Sequence, residues 1–185
     1  INREVILKYS HKHQVCPFEM SLDVSMWADF IICDYNYAFD PNVHLKRYFG
    51  TMKRDYVFLI DEAHNLVERA CDMYSASIYK EDVLKVRRLI GKKSGKLRRA
   101  LNACNKDLLD WKRNWERWTV IEDISIFATH LTNLASAFSE FFEKNPVFED
   151  KDEVLELYFD VLHFINMYEG LNDKYLIYLD YSEEE

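Results

Sequence analysis

The pattern of apolar and polar positions changes character near residue 64. Upstream, residues 2–13 set apolar Val5, Ile6 and Tyr9 on a polar background, which predicts a short helix. Cys16-Pro17 ends it, because proline lacks the helical N–H and restricts the residue before it. Apolar positions 18, 22, 26 and 27 predict a second helix over 18–28. Residues 29–34 and 56–60 are short apolar runs without alternation, the pattern of strands buried on both faces of a parallel sheet. Between them, Pro41 stands where a first helical turn would start, with Val43, Leu45, Tyr48 and Phe49 following in 41–54. Strand, helix and strand over this length predict a βαβ unit.

Downstream the period becomes helical. Helices are expected over 65–72, 80–92, 95–118, 124–144 and 151–169, punctuated by Gly91, Gly95, Pro146 and Gly170. Positions 127, 131, 134, 138, 141 and 142 form one amphipathic stripe, and 154, 155, 158, 159, 161, 162, 164 and 165 form another. Short strands are expected at 73–78 and 174–181, paired with each other. The chain has only 4 Gly and 3 Pro, which disfavours a turn-rich β fold. The expected class is mostly α: a helical domain with a few short strands, preceded by a partial α/β segment.

Composition adds two points. With 185 residues, 49% hydrophobic and 15% aromatic, the chain has ample material for a core and is not globally disordered. The net charge of −8 hides a strong asymmetry. Residues 80–118 carry 13 basic and 5 acidic side chains, +8, whereas 119–185 carry 3 basic and 16 acidic, −13. No apolar run is long enough for a membrane span. Cys16, Cys33, Cys71 and Cys104 form no CxxC pair, which fits a reducing cytoplasm better than a disulfide framework. The chain starts without Met and shows no signal peptide, and we read it as an internal fragment.

Candidate chemistry centres on Asp61 and Glu62, at the carboxyl end of the second expected strand. Ligands of open α/β sheets sit at that edge. Two adjacent carboxylates there suit nucleoside triphosphate hydrolysis: Asp61 holding Mg²⁺, usually through water, and Glu62 polarising the attacking water. A solvated acidic turn is the plainer alternative. Gly91 to Gly95 is not a phosphate loop, because three residues separate the glycines, Leu97 follows Lys96, and the segment joins two helices. His11, His13 and Cys16 lack a fourth zinc ligand nearby in sequence.

The string Asp61-Glu62-Ala63-His64 after an apolar run resembles the DEAH-type helicases of superfamily two. The match extends through Cys16-Pro17-Phe18, Trp27-Ala28-Asp29 and Asp34-Tyr35-Asn36-Tyr37-Ala38-Phe39-Asp40-Pro41. Together these resemble the iron–sulfur DNA helicases of the XPD/DinG family, in a bacterial form, over residues 14–72. The resemblance implies a parent that uses ATP with Mg²⁺ and a [4Fe–4S] cluster to translocate on single-stranded or forked DNA, in repair or replication. It implies that Glu62 and His64 are catalytic, His64 coupling nucleotide and DNA sites, although a plain helix-start histidine is the alternative. Asp61 is the Mg²⁺ and nucleotide ligand. Cys16 corresponds to the last cluster cysteine, with the other three absent, so neither cluster nor nucleotide is expected to stay bound to the fragment.

Tyr35, Asn36 and Tyr37 are the candidate DNA contacts by base stacking and hydrogen bonding, with packing as the rival role. In the basic segment Arg98 and Arg99 are candidate phosphate contacts, with complementarity to the acidic helices as the rival. Trp111, Trp115 and Trp118 are expected on one helix face, turned into the core. The implied organisation is 1–17 as the end of the iron–sulfur insertion, 18–72 as part of the first RecA-like motor domain, 73–178 as the helical Arch domain and 179–185 as the return to the motor. Without a phosphate loop the fragment is expected to be inactive alone. The rival to an enzyme fragment is a non-catalytic Arch module that binds DNA or a protein partner as gate or scaffold, with no membrane involved.

Overall fold

A computed structural model describes residues 2–41, 43–49 and 55–181. The described residues are 63% helical and form one small two-stranded sheet, as the mostly α expectation requires. The chain divides into two compact units, Ile1–Ala63 and His64–Glu185.

In the first unit, α1 (Arg3–His13) starts at Asn2, whose side chain accepts the Val5 N–H at 3.1 Å. This fills one of the orphan donors of a helix start. α2 (Pro17–Ser25) has Pro17 at its first turn, where a missing N–H costs nothing. α3 (Asn36–Phe39) and α4 (Lys46–Phe49) are single turns. Arg47 on α4 reaches Asp23 at 2.8 Å and Glu19 at 2.9 Å on α2. The Tyr48 hydroxyl bonds to that of Ser25, and Tyr48 is buried. The expected helix over 41–54 reduces to α4 among the described residues; positions 42, 50 and 51–54 lie outside them.

The two expected strands do not form. Residues 29–34 and 56–60 carry no strand, so no βαβ unit exists among the described residues. A strand is defined by ladder bonds to a neighbour, and these runs have none here. Their side chains show what is missing. Phe30 and Ile32 are 87% and 101% exposed, and Val57 and Leu59 are 90% and 88% exposed. The alternate residues of the second run do pack: Tyr56 and Phe58 meet the Phe49 ring at 5.7 and 6.1 Å.

The second unit opens with a 3-10 turn (Ala63–Asn65, beginning in the last residue of the first unit) and α5 (Leu66–Met73). Four longer helices follow: α6 (Lys80–Ile90), α7 (Gly95–Asn114), α8 (Ser125–Lys144) and α9 (Lys151–Glu169). α7 packs on α6 and α8, and α9 packs on α8 and α6, closing a ring of four helices. Val83 and Ile90, Leu97 and Leu101, Leu131 and Phe138, and Val154 and Leu157 fill its centre. Buried positions 127, 131, 134, 138 and 141 of α8 follow the expected stripe. On α9 the buried line is Val154, Leu157 and Val161, while Phe159 stays 59% exposed, because only one arc of the helix meets its neighbours.

Gly91, at φ +53, ends α6, and the Ser94 hydroxyl caps α7 by accepting the Leu97 N–H at 3.3 Å. The glycine pair is thus helix punctuation. β1 (Thr119–Val120) and β2 (Tyr178–Leu179) pair antiparallel, Thr119 opposite Leu179 and Val120 opposite Tyr178. The expected pairing of 73–78 with 174–181 is therefore wrong in its partner. Met73 ends α5 and is buried, leaving 75–79 as a connection into α6. The tryptophan stripe breaks for a similar reason. α7 ends at Asn114, so only Trp111 packs on the core, edge-on to Phe127 at 5.0 Å. Trp118 has φ +65 and stacks on Tyr178 at 5.5 Å.

Candidate functional site

Asp61 and Glu62 follow the run that ends at Ile60, and both are exposed. Glu62 adopts the left-handed conformation, φ +50. For a residue with a Cβ this costs roughly 1–2 kcal/mol, so something must hold it. The peptide unit joining Asp61 to Glu62 is held at both of its polar groups. Its N–H, on Glu62, donates to Asp61 Oδ1 at 2.9 Å. Its carbonyl, on Asp61, accepts the hydroxyl of Tyr35.

Tyr35 sits at the start of α3, and its own carbonyl accepts the N–H groups of Ala38 at 3.0 Å and Phe39 at 2.9 Å. The Tyr37 carbonyl accepts the Leu45 N–H at 3.0 Å, and Asp40 Oδ1 accepts the Val43 N–H at 3.0 Å. Tyr35 and Tyr37 are half-buried and Asn36 is exposed. Within the first unit, then, the aromatic segment and the carboxylate pair are brought together. His64 is exposed and is the first residue of the second unit, so the boundary between units cuts the four-residue motif.

Cys16 is an exposed free thiol at the N-cap of α2. Among the described residues no group of three or more His, Cys, Asp or Glu side chains is placed to hold a metal ion. A [4Fe–4S] cluster takes four thiolates, so these residues do not fit it by themselves.

Arg98 and Arg99 lie on the first turns of α7 and are exposed, with no ion-pair partner among the described residues. Their neighbour Lys96 is engaged, 2.5 Å from Glu140 on α8, and Lys144 holds the other oxygen of Glu140 at 2.6 Å. The hydrogen bond from Lys144, then that from Lys96, lowers the Glu140 carboxyl to about 2. The basic segment is therefore divided: Lys96 complements an acidic helix, and Arg98 and Arg99 remain open to solvent.

Where α6 meets α9, Asp82, Glu153, Glu156 and Asp160 surround a small recess with Lys85. Burial, and then Asp82 and Glu156, raise the Asp160 carboxyl above its ordinary value, with His163 acting weakly in the other direction. The Tyr35–Asp61 tie and the conformation of Glu62 had no signal in the sequence, since no periodicity relates position 35 to 61, whereas the Lys96–Glu140 bridge is one pair of the charge complementarity expected between the basic segment and the acidic helices.

Residues 1–83 match the DEAD_2 family. The chain is also similar to curated helicases. It is 39% identical over 75 residues to the human Regulator of telomere elongation helicase 1, covering 37% of this chain and 5% of that protein. It is 26% identical over 103 residues to the ATP-dependent DNA helicase CHL1 of Kluyveromyces lactis, covering 56% of this chain and 12% of that protein. It is 28% identical over 75 residues to the chicken Fanconi anemia group J protein homolog, covering 40% and 6%. The similarity is to XPD-family DNA helicases of superfamily two. These relatives are from animals and a yeast, and they lend no support to a bacterial form. The chain spans about a twentieth to an eighth of their length. No solved structure matches the chain.

Proposed function

We propose that the chain is part of an ATP-driven DNA helicase in which Asp61 and Glu62 serve nucleotide hydrolysis. The observation that carries this reading is the carboxylate pair itself, inside the segment that resembles helicases, with the peptide between the two residues held at both ends. Asp61 would hold Mg²⁺ through water, and the ion would neutralise charge developing on the phosphates. Glu62 would orient the attacking water and accept its proton on the carboxylate. His64 would couple this turn to the DNA side. The helical bundle following the motif would be the Arch, a gate or scaffold beside the translocating strand.

The test is Glu62→Gln in the full-length protein. Hydrolysis should fall by about 100-fold or more while nucleotide binding persists. Undiminished turnover would remove Glu62 from the mechanism.

A second reading rests on Arg98 and Arg99. Two adjacent exposed guanidinium groups without carboxylate partners among the described residues suit phosphate contact. In this reading the bundle adds a non-catalytic hold on single-stranded DNA.

A further inference from the structure

We propose that Tyr35 is a positioning residue that links the aromatic segment to the catalytic turn, setting the direction of Glu62 through the Asp61 carbonyl; this rests on the hydrolytic reading of Glu62 above. Tyr35, Asn36 and Tyr37 read in sequence as three equivalent aromatic or polar contacts. The structure separates them. Asn36 is exposed, and the Tyr37 backbone is tied to Leu45. Tyr35 sends its side chain to the carboxylate turn, where its hydroxyl donates to the Asp61 carbonyl.

The bond falls on a sensitive place. Rotating the 61–62 peptide would carry Glu62 out of the left-handed region and swing its carboxylate elsewhere. Asp61 Oδ1 restrains the N–H end of that peptide at 2.9 Å, and Tyr35 restrains the carbonyl end. The first restraint comes from the residue next door and moves with the turn. The second comes from 26 residues upstream and does not. Tyr35 also anchors α3, since its carbonyl accepts two amides of that turn. A shift of α3 when Asn36 or Tyr37 is occupied would therefore reach the 61–62 peptide directly through the Tyr35 hydroxyl, beside the packing of Phe39 on Phe58 at 5.9 Å. The phenol is needed for its hydroxyl, and its ring face is secondary.

Tyr35→Phe keeps the ring and removes only the donor. In the full-length protein we expect kcat for DNA-stimulated ATP hydrolysis to fall by about tenfold, the scale of one lost hydrogen bond. The KM for ATP and the affinity for a single-stranded oligonucleotide should stay within about twofold. In the present chain, exchange of the Glu62 amide hydrogen should quicken by a similar factor. Unchanged kcat and unchanged exchange would overturn the proposal, as would equal losses in oligonucleotide affinity and kcat, which would mark Tyr35 as a DNA contact. Glu62→Gln serves as the control. If it is inactive while Tyr35→Phe is normal, the link fails and the hydrolytic assignment stands; if it is fully active, the hydrolytic assignment itself fails.

Discussion

Lys96 Nζ lies 2.5 Å from Glu140 Oε2, fastening the basic start of α7 to α8. Lys144 holds the second oxygen of the same carboxylate. Glu140 titrates near 2 in the fold, below its ordinary value of 4.5, so its contribution to stability is present above pH 4.5. That contribution is lost as pH falls from 4.5 toward about 2. Glu140→Gln should lower the melting temperature at pH 7 by a small amount, since the groups are exposed. The difference from wild type should shrink steadily as pH falls from 4.5 toward about 2, as followed by circular dichroism melts. A difference that does not shrink over this range would show that the bridge is not its source.

Asp160 has the opposite sign. Its carboxyl is raised, so the charged form at neutral pH costs the fold something, and the cost is relieved as pH falls through the folded value. Asp160→Asn removes the charge beside Asp82 and Glu156. It should raise the melting temperature at pH 7 by about 1–2 °C, the scale of a mild surface change in a chain this size. A decrease would mean that the attraction of His163 outweighs burial and the repulsion from Asp82 and Glu156.

Phe138 sits fully buried among Phe142, stacked at 5.9 Å, and Tyr158, at 5.6 Å. Phe138→Ala should cost about 3–5 kcal/mol, from lost burial plus the cavity left behind. Urea unfolding should show this as a lower midpoint. Phe159→Ala, on the outer arc of α9 and largely exposed, should change the midpoint little.

Arg98→Glu with Arg99→Glu tests the second reading. Binding of this chain to a single-stranded oligonucleotide should weaken, and the slope of log affinity against log salt should become shallower by about 1.4, the release expected from two phosphate contacts. Lys96→Gln should matter less, because Glu140 already occupies Lys96. Equal affinities for all variants would leave the arginines as solvated surface.

The thiols offer a simpler check. Cys104 is fully buried and burial, chiefly, pushes its thiol up to about 12, whereas Cys16, Cys33 and Cys71 are exposed. A thiol reagent at pH 8 should modify three cysteines of the native chain and the fourth only on unfolding. Cys33 should be the slowest of the three, since burial and Asp34 raise it. A protected Cys16 would contradict the placement of that residue.

Local order in the chain determined a good deal about this protein. Helical periodicity, proline and glycine punctuation, and the apolar stripes of α8 located α1, α2 and α5 to α9 to within a few residues, because those signals act over one or two turns, but not the single turns α3 and α4. The motif residues and their resemblance likewise needed only neighbours in sequence. What the tertiary structure decided depends on partners far along the chain. Residues 29–34 and 56–60 have strand-like composition, yet a strand exists only when another strand supplies its hydrogen bonds, and none does among the described residues. β2 had the right location and the wrong expected partner, because antiparallel pairing is set by which segment arrives beside it. Trp115 and Trp118 shared a helical spacing with Trp111, but the helix stops at Asn114. The carboxylates Asp61 and Glu62 were legible as chemistry. That their shared peptide is clamped by Tyr35 was not, because a hydrogen bond spanning 26 residues leaves no periodic trace in the sequence.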